Sequence, residues 1–389
     1  MRILHTVEFY HPSMGGAQEV VRQLSERMVE LGHDVTVATS RLPERTSNLH
    51  RGVKIIDFDI AGNQVRGYTG DIDAYTRYIK DSDFNVIMNY AAQQWTSDLV
   101  FPSLKEISAH KVFVPCGFSG LHEPAYTQYF RGMPNILKQY DATVYLSHDY
   151  RDINFAREHG VENMHVIPNG ADEKEFLHHY DGNIRKELKI AETSKLIVHI
   201  GGFTGVKGQT EAIEIFEKAN LANSTLLLIG NVFDQAFAKK IRRRAVRFNL
   251  RYSNLRNKTK VLVMQLSRVK TVAALQSADL FLFPSNIEAS PLVLFEACAA
   301  KTPFLTTDVG NSKEIIRWTG GGRILPTRHD AHGYSRAEIE GSAKLLEVTI
   351  NDQADLMKMA KAGYHAWDSK YRWDKIAGQY LKLYKGGLK

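Results

Sequence analysis

Glu288 and Glu296 are the residues whose type and spacing first suggest chemistry in this chain. Glu288 lies in the loop SNIEASP, which follows the apolar run Leu280-Phe281-Leu282-Phe283-Pro284, and Glu296 stands eight residues further on. The run reads as a buried strand ending in a turn. Ser290 offers a side-chain oxygen as an N-cap, and Pro291 fits the first helical position, where a missing N–H costs nothing. A helix is predicted to follow through Leu292, Leu294, Phe295 and Ala297. The amides of its first turn, around Pro291, Leu292 and Val293, would attract phosphate. Glu288 for sugar hydroxyls, amides for phosphate and Glu296 for ribose make a set suited to a nucleotide sugar. Lys207, in GGFTGVKGQ ahead of another helix, adds a cation that could neutralise a diphosphate as its bond to sugar breaks.

The elements that must position these groups alternate along the chain. Arg2 to Val7 reads as a buried strand. The loop EFYHPSMGG follows, then a helix from about Ala17 whose Val20, Val21, Leu24, Met28 and Leu31 form an apolar stripe. Gly15 and Gly16 let backbone approach a ligand at that helix N-terminus. Strands at Val53–Ile60, Val86–Met88, Lys111–Val114 and Thr143–Ser147 alternate with helices near Asp71–Lys80, Thr96–Ile107 and Asp149–His159. PAYTQYFRGMPNILKQYD reads as helix in pieces, packing its Tyr and Phe side chains into a core. A second sheet opens at KLIVHI, residues 195–200, and continues at Thr225–Ile229, Val261–Met264, Leu280–Phe283, Thr302–Thr306 and GRILP. A helix is expected from Trp373, with Ile376, Tyr380 and Leu383 on one side. The fold class is α/β with parallel sheets.

Several phrases, in order, resemble the retaining glycosyltransferases of family four, which have the GT-B fold. They are PSMGGAQEVVRQLSERMVELGHDVTVAT, MHVIPNGAD, GGFTGVKGQ, and the Glu-x7-Glu stretch after Pro284-Ser285. The resemblance implies two Rossmann-like domains facing across a cleft: residues 1–170 on the acceptor side and 171–372 on the donor side. The last helix, about 373–389, would cross back to the first domain. It implies that Gly15, Gly16, Lys207 and the amides near Ser290 to Val293 hold the donor diphosphate, with Glu288 and Lys207 in the catalytic roles. Asn231 would border the nucleotide. After the Val261–Met264 strand, near the base, Gln265 stands where the family usually has a glycine, and two further places depart from the family's pattern. Cys116 stands where a histidine often contacts the donor sugar, and Gly202 stands where an arginine often meets the diphosphate. The implied reaction moves a hexose-type sugar from a UDP- or GDP-linked donor to a glycan or lipid-linked saccharide, as in surface polysaccharide synthesis, with no cofactor or metal. The two departures keep a degenerate, non-catalytic saccharide-binding protein as the alternative.

Composition narrows the rest. The chain has 389 residues, 43% hydrophobic and 24% charged, ordinary for a globular protein and long enough for two domains. Cys116 and Cys298 show no metal-like spacing, and a thiol is not needed by a retaining GT-B mechanism. Asp57-Phe-Asp59, Asp71-Ile-Asp73 and Asp81-Ser-Asp83 suit caps and turns better than metal. Gly-x-Gly-x-x-Gly is absent from the first strand–helix turn, which argues against a nicotinamide oxidoreductase. The chain opens on strand-like RILHTV, and no apolar run approaches the roughly 20 residues that span a bilayer. A cytoplasmic protein is expected, with peripheral contact at the inner membrane face as an option. That option rests on the net charge of +7. No acidic residue lies between Asp234 and Asp279, where Lys239, Lys240, Arg242, Arg243, Arg244, Arg247, Arg251, Arg256, Lys258, Lys260, Arg268 and Lys270 crowd. This 239–270 block reads as a solvated helix face beside a site that binds diphosphate, or as a surface for anionic lipid, and it has no nucleic-acid motif.

Overall fold

The computed structural model describes residues 1–178, 180–252, 258–331 and 333–386. The chain divides into two compact units, residues 1–169 with 373–389 and residues 170–372.

The first unit is built on strands β1 (Arg2–Thr6), β2 (Asp34–Ser40), β3 (Leu49–His50), β4 (Val53–Phe58), β7 (Val86–Tyr90), β8 (His110–Val114), β9 (Ala142–Tyr145) and β10 (Met164–Val166), with β5 (Ile60–Asn63) and β6 (Gly67–Gly70) as a separate hairpin. The sheet order is β10-β9-β8-β7-β1-β2-β4-β3, parallel except where β3 meets β4. β1 and β7 are buried almost throughout, as parallel strands covered on both faces must be. Helices α1 (Gly16–Glu30), α2 (Ile72–Asp81), α3 (Trp95–Asp98), α4 (Thr127–Leu137) and α5 (Arg151–Glu158) connect the strands. Tyr126, Tyr129, Phe130 and Met133 are buried, so the aromatic α4 segment packs as read. The helix expected over Thr96–Ile107 is only α3 and a short 3₁₀ turn, Phe101–Ser103. Pro102 lacks the N–H that a continuous helix would use there.

The second unit begins with the short α6 (Glu173–Phe176) and α7 (Ile184–Glu187). Its sheet has β11 (Lys195–Ile200), β12 (Ser224–Ile229), β13 (Lys260–Met264), β14 (Leu280–Phe283), β15 (Phe304–Thr306) and β16 (Gly322–Ile324), all parallel, in the order β13-β12-β11-β14-β15-β16. Its helices are α8 (Gln209–Ala219), α9 (Gln235–Tyr252), α10 (Arg268–Gln276), α11 (Leu292–Ala299), α12 (Ser312–Thr319), α13 (Ile339–Asn351) and α14 (Gln353–Ala366), with a small hairpin of β17 (Thr327–His329) and β18 (Ser335–Ala337). Helices α13 and α14, which pack on α8 and α11, have no counterpart in the sequence reading. A π-helical turn at Trp367–Tyr371 leads to α15 (Trp373–Tyr384). This last helix packs on α1, and the Tyr384 hydroxyl bonds the buried His5 ring at 2.9 Å. Residues 387–389 of the expected last helix, and Arg256 of the basic block, lie outside the described residues.

Each sheet reverses its strand order once, between β7 and β1 in the first unit and between β11 and β14 in the second. In doubly wound sheets ligands bind beyond the carboxyl ends of the strands at such a reversal.

Candidate active site

Lys207 follows β11 and Glu288 follows β14, so the reversal in the second sheet brings them together. Lys207 Nζ lies 2.8 Å from Glu288 Oε1, and Ser285 Oγ donates to the same oxygen at 2.8 Å. The Lys207 side chain keeps 30% of its surface and Glu288 14%, so the pair is reachable yet shielded enough for its charge to matter.

Backbone contacts fix the two loops to each other. Asn286 N–H donates to the Val206 carbonyl at 2.9 Å, and Ser285 Oγ to the same carbonyl at 3.4 Å. Gly208 adopts φ +78°, and a Cβ there would stand 2.0 Å from the Pro284 carbonyl oxygen. Only glycine lets the lysine loop approach the glutamate loop this closely.

The helix after Glu288 starts one residue later than expected. Pro291 is the N-cap, in extended conformation, and its ring makes no capping hydrogen bond to α11. Ser290 is therefore not the cap: Pro291 already supplies the extended residue at that boundary. Leu292 and Val293 open the first turn, where amides have no partner within the helix.

Glu296 is 9% exposed on α11. Arg268 donates to its Oε1 at 2.7 Å and to Glu175 Oε2 at 2.6 Å. Oε2 of Glu296 is buried and has no hydrogen-bond partner among the described residues. Burial raises the pKa of Glu175, with Arg268 opposing. Burial also works against the Arg268 charge, but Glu296 and Glu175 hold its pKa well above the ordinary value. Arg268 was read only as part of a basic block. No local signal marks it, because its partners stand 93 and 28 residues away.

The remaining expected residues are spread over both units. Asn231, after β12, accepts from Gln265 Nε2 at 3.2 Å, and its carbonyl accepts from Phe203 N–H. At Gly202 a Cβ would come within 2.8 Å of the Phe233 ring, so that ring occupies space an arginine stem would need. His199 beneath this loop donates Nδ1–H to the Leu282 carbonyl at 2.9 Å, and burial pushes its pKa down to about 4. In the first unit, Gly15 caps α1 in extended conformation, and Gly16 has open space where a Cβ would go. Cys116 follows β8 at φ +59°, its thiol 3.8 Å from the Tyr90 hydroxyl and pushed up to about 11 by burial. A thiol so placed stays protonated near neutrality and is a poor nucleophile. Ala91, Gln93 and Phe118 also have positive φ at the ends of β7 and β8. Such backbone collects at functional sites and leaves no trace in sequence.

The Asp triads have other work. Asp57 is held by Arg41 and Arg45, and Asp71 caps α2 by position. Among the described residues no group of His, Cys, Asp and Glu is arranged to hold a metal. No described helix is long and apolar enough to cross a membrane.

Two Rossmann-like units with a lysine and two carboxylates at the second unit's sheet reversal define a glycosyltransferase of the GT-B type. The family model for glycosyl transferases group 1 matches residues 181–364, and that for glycosyltransferase family 4 matches residues 14–175. The chain belongs to glycosyltransferase family four and is a transferase enzyme. It is 22% identical over 393 residues to N-acetyl-alpha-D-glucosaminyl L-malate synthase of Bacillus anthracis, covering 96% of this chain and 94% of that one. Alpha-maltose-1-phosphate synthase of Mycobacterium tuberculosis is 25% identical over 57% of this chain and 56% of its own. Sucrose-phosphate synthase of Thermosynechococcus elongatus has the same fold, with a TM-score of 0.76, 17% identity and coverage of 99% and 98%. Anabaena HepE in complex with UDP and glucose aligns with a TM-score of 0.73 at 15% identity, over 98% of this chain and 99% of that one.

Proposed function

We propose that the chain transfers a hexose-type sugar, with retention of configuration, from a UDP- or GDP-linked donor to a glycan or lipid-linked saccharide. The observation that carries this is the contact of Lys207 with Glu288 beside the open first turn of α11. When the glycosidic bond breaks, negative charge grows on the diphosphate. Lys207 and the amides of Leu292 and Val293 would meet it, and pre-placed donors of this kind are each worth about 3–4 kcal/mol. Glu288 would hold sugar hydroxyls, and Glu296 the ribose, with no metal required. HepE, solved with UDP-glucose, favours a uridine donor over a guanosine one.

The test is a thermal-shift series with UDP, GDP, ADP, dTDP and CMP, with and without EDTA. A nucleotide at about 100 times its Kd stabilises by roughly 2.7 kcal/mol. One nucleotide raising the Tm, insensitive to EDTA and silent in Lys207→Ala, supports the site. Donor turnover with the anomeric configuration of the product read by NMR tests retention. Binding without turnover would favour the degenerate alternative.

A further inference from the structure

The basic block is not one surface. Arg268 faces Glu175 and Glu296, and Lys270 pairs with Glu187 at 2.8 Å. Lys260, on β13, donates to the Lys189 carbonyl. Arg244 and Arg251 pair with Glu214 and Glu217 on α8. What remains on α9 are Lys239, Lys240, Arg242, Arg243 and Arg247, all exposed and without an ion pair among the described residues.

Helix α9 buries Ala238, Ile241, Ala245 and Phe248 against its own unit. On the opposite side, residues four apart line up in two neighbouring stripes. One is cationic: Lys239, Arg243, Arg247, Arg251. The other runs Arg242, Val246, Leu250 and ends in two aliphatic side chains that are 57% and 84% exposed. A groove of about 700 Å³ runs along the cationic stripe, its six cations Lys239, Lys240, Arg243, Arg244, Arg247 and Arg251 outnumbering the one carboxylate in its lining, Glu217.

We infer that this face of α9 docks on an anionic lipid bilayer. The cations and their groove take phosphate headgroups, and Val246 and Leu250 enter the boundary between headgroups and acyl chains. A helix with a cationic stripe beside exposed aliphatics lies in that plane. A soluble polyanion would use the charges but gain nothing from two bare aliphatic side chains, and the stripe offers no exposed aromatic for stacking bases. The inference does not need the proposed reaction, because lipid binding is read without turnover.

The test is sedimentation of the full chain with phosphatidylcholine vesicles, with and without phosphatidylglycerol. Binding is expected only with phosphatidylglycerol, falling as salt rises. Each cation neutralised, as in Arg243→Gln and Arg247→Gln, weakens partitioning about fivefold. Val246→Asn with Leu250→Asn weakens it roughly tenfold, and lowering the salt does not restore it. All four side chains are exposed, and circular dichroism checks that the variants fold. Equal binding to phosphatidylcholine alone, or no binding to either vesicle, overturns the proposal. So does unchanged vesicle binding in the Val246/Leu250 variant together with full competition by heparin, which would make the face a polyanion site.

Discussion

The ammonium of Lys207 lies 2.8 Å from Oε1 of Glu288, although 81 residues separate the two in the chain. The contact exists because β11 and β14 are neighbours in the sheet, with β12 on the far side of β11 and β15 on the far side of β14. Lysine and glutamate hold each other, and Ser285 donates to the same glutamate oxygen.

Lys207→Ala is expected to lower the transfer rate about 100- to 1,000-fold, the usual effect of removing one donor aimed at developing charge. Glu288 keeps Ser285 as a partner, so the Tm should change little. Rate loss with an unchanged Tm is the expected pair. A large drop in Tm with a near-normal rate per folded molecule would make Lys207 a structural residue.

Arg268→Met leaves Glu175 and Glu296 facing each other without the guanidinium between them. Breaking such a pair typically costs about 3–5 kcal/mol when buried, and the 37% exposure of the Arg268 side chain places this site below that range. Donor KM should rise more than kcat falls, because Glu296 loses its orientation. Arg268→Lys should recover part of the stability but not the donor KM, since one ammonium cannot reproduce the fork. A donor KM untouched by Arg268→Met would remove Arg268 from the site.

Two glycines should separate fold from ligand binding. Gly208→Ala meets the Pro284 carbonyl at 2.0 Å in a left-handed conformation, and should cost at least about 1–3 kcal/mol. Gly16→Ala meets open space at the start of α1. It should leave stability unchanged or raise it by up to about 1 kcal/mol, while raising donor KM if backbone there approaches a phosphate. Urea midpoints and donor kinetics on the two variants read both effects.

His5 sets a pH dependence. Burial lowers its pKa from 6.5 to about 3 in the folded chain. Below pH 6.5 the unfolded chain therefore binds the extra proton. The stability that the neutral ring contributes is complete above 6.5 and is lost as pH falls toward 3, up to about 5 kcal/mol. Asp98 and Asp152, pushed up to about 6 by burial, act in the opposite sense. They titrate equally in a variant and cancel in a difference. The urea midpoint of wild type minus that of His5→Gln should shrink as pH falls from 6.5 to 3.

Cys116 should resist alkylation by iodoacetamide at pH 7 in the folded protein, because its thiol is raised to about 11. Cys116→Ala should keep most of the transfer activity. Rapid alkylation with loss of transfer would give the thiol a role that its burial argues against.

The sheets were legible because parallel strands covered on both faces must be apolar runs, and KLIVHI and LFLF are such runs. Helices α13 and α14 were not. α13 carries Gly341 and ends in Val348-Thr349-Ile350, weak helix formers, and packing on α8 holds it. Glu288 and Lys207 could be picked out because each follows a strand ahead of a helix, and Glu296 because it stands eight residues after Glu288 on the helix that follows. Arg268 could not, because charge counting does not reveal which cation faces a carboxylate 93 residues away. Ser290 misled because Ser-Pro is a standard helix opening, and here the boundary falls one residue later.

The packing of α15 on α1 inverts the order in which the chain can mature on the ribosome. The second unit, residues 170–372, is contiguous and emerges whole. The first unit waits for Tyr384 to reach His5, a partner translated 379 residues earlier. Domains usually complete in the order they are made. Here the unit begun first finishes last, and until then α1 lacks the α15 face it packs against.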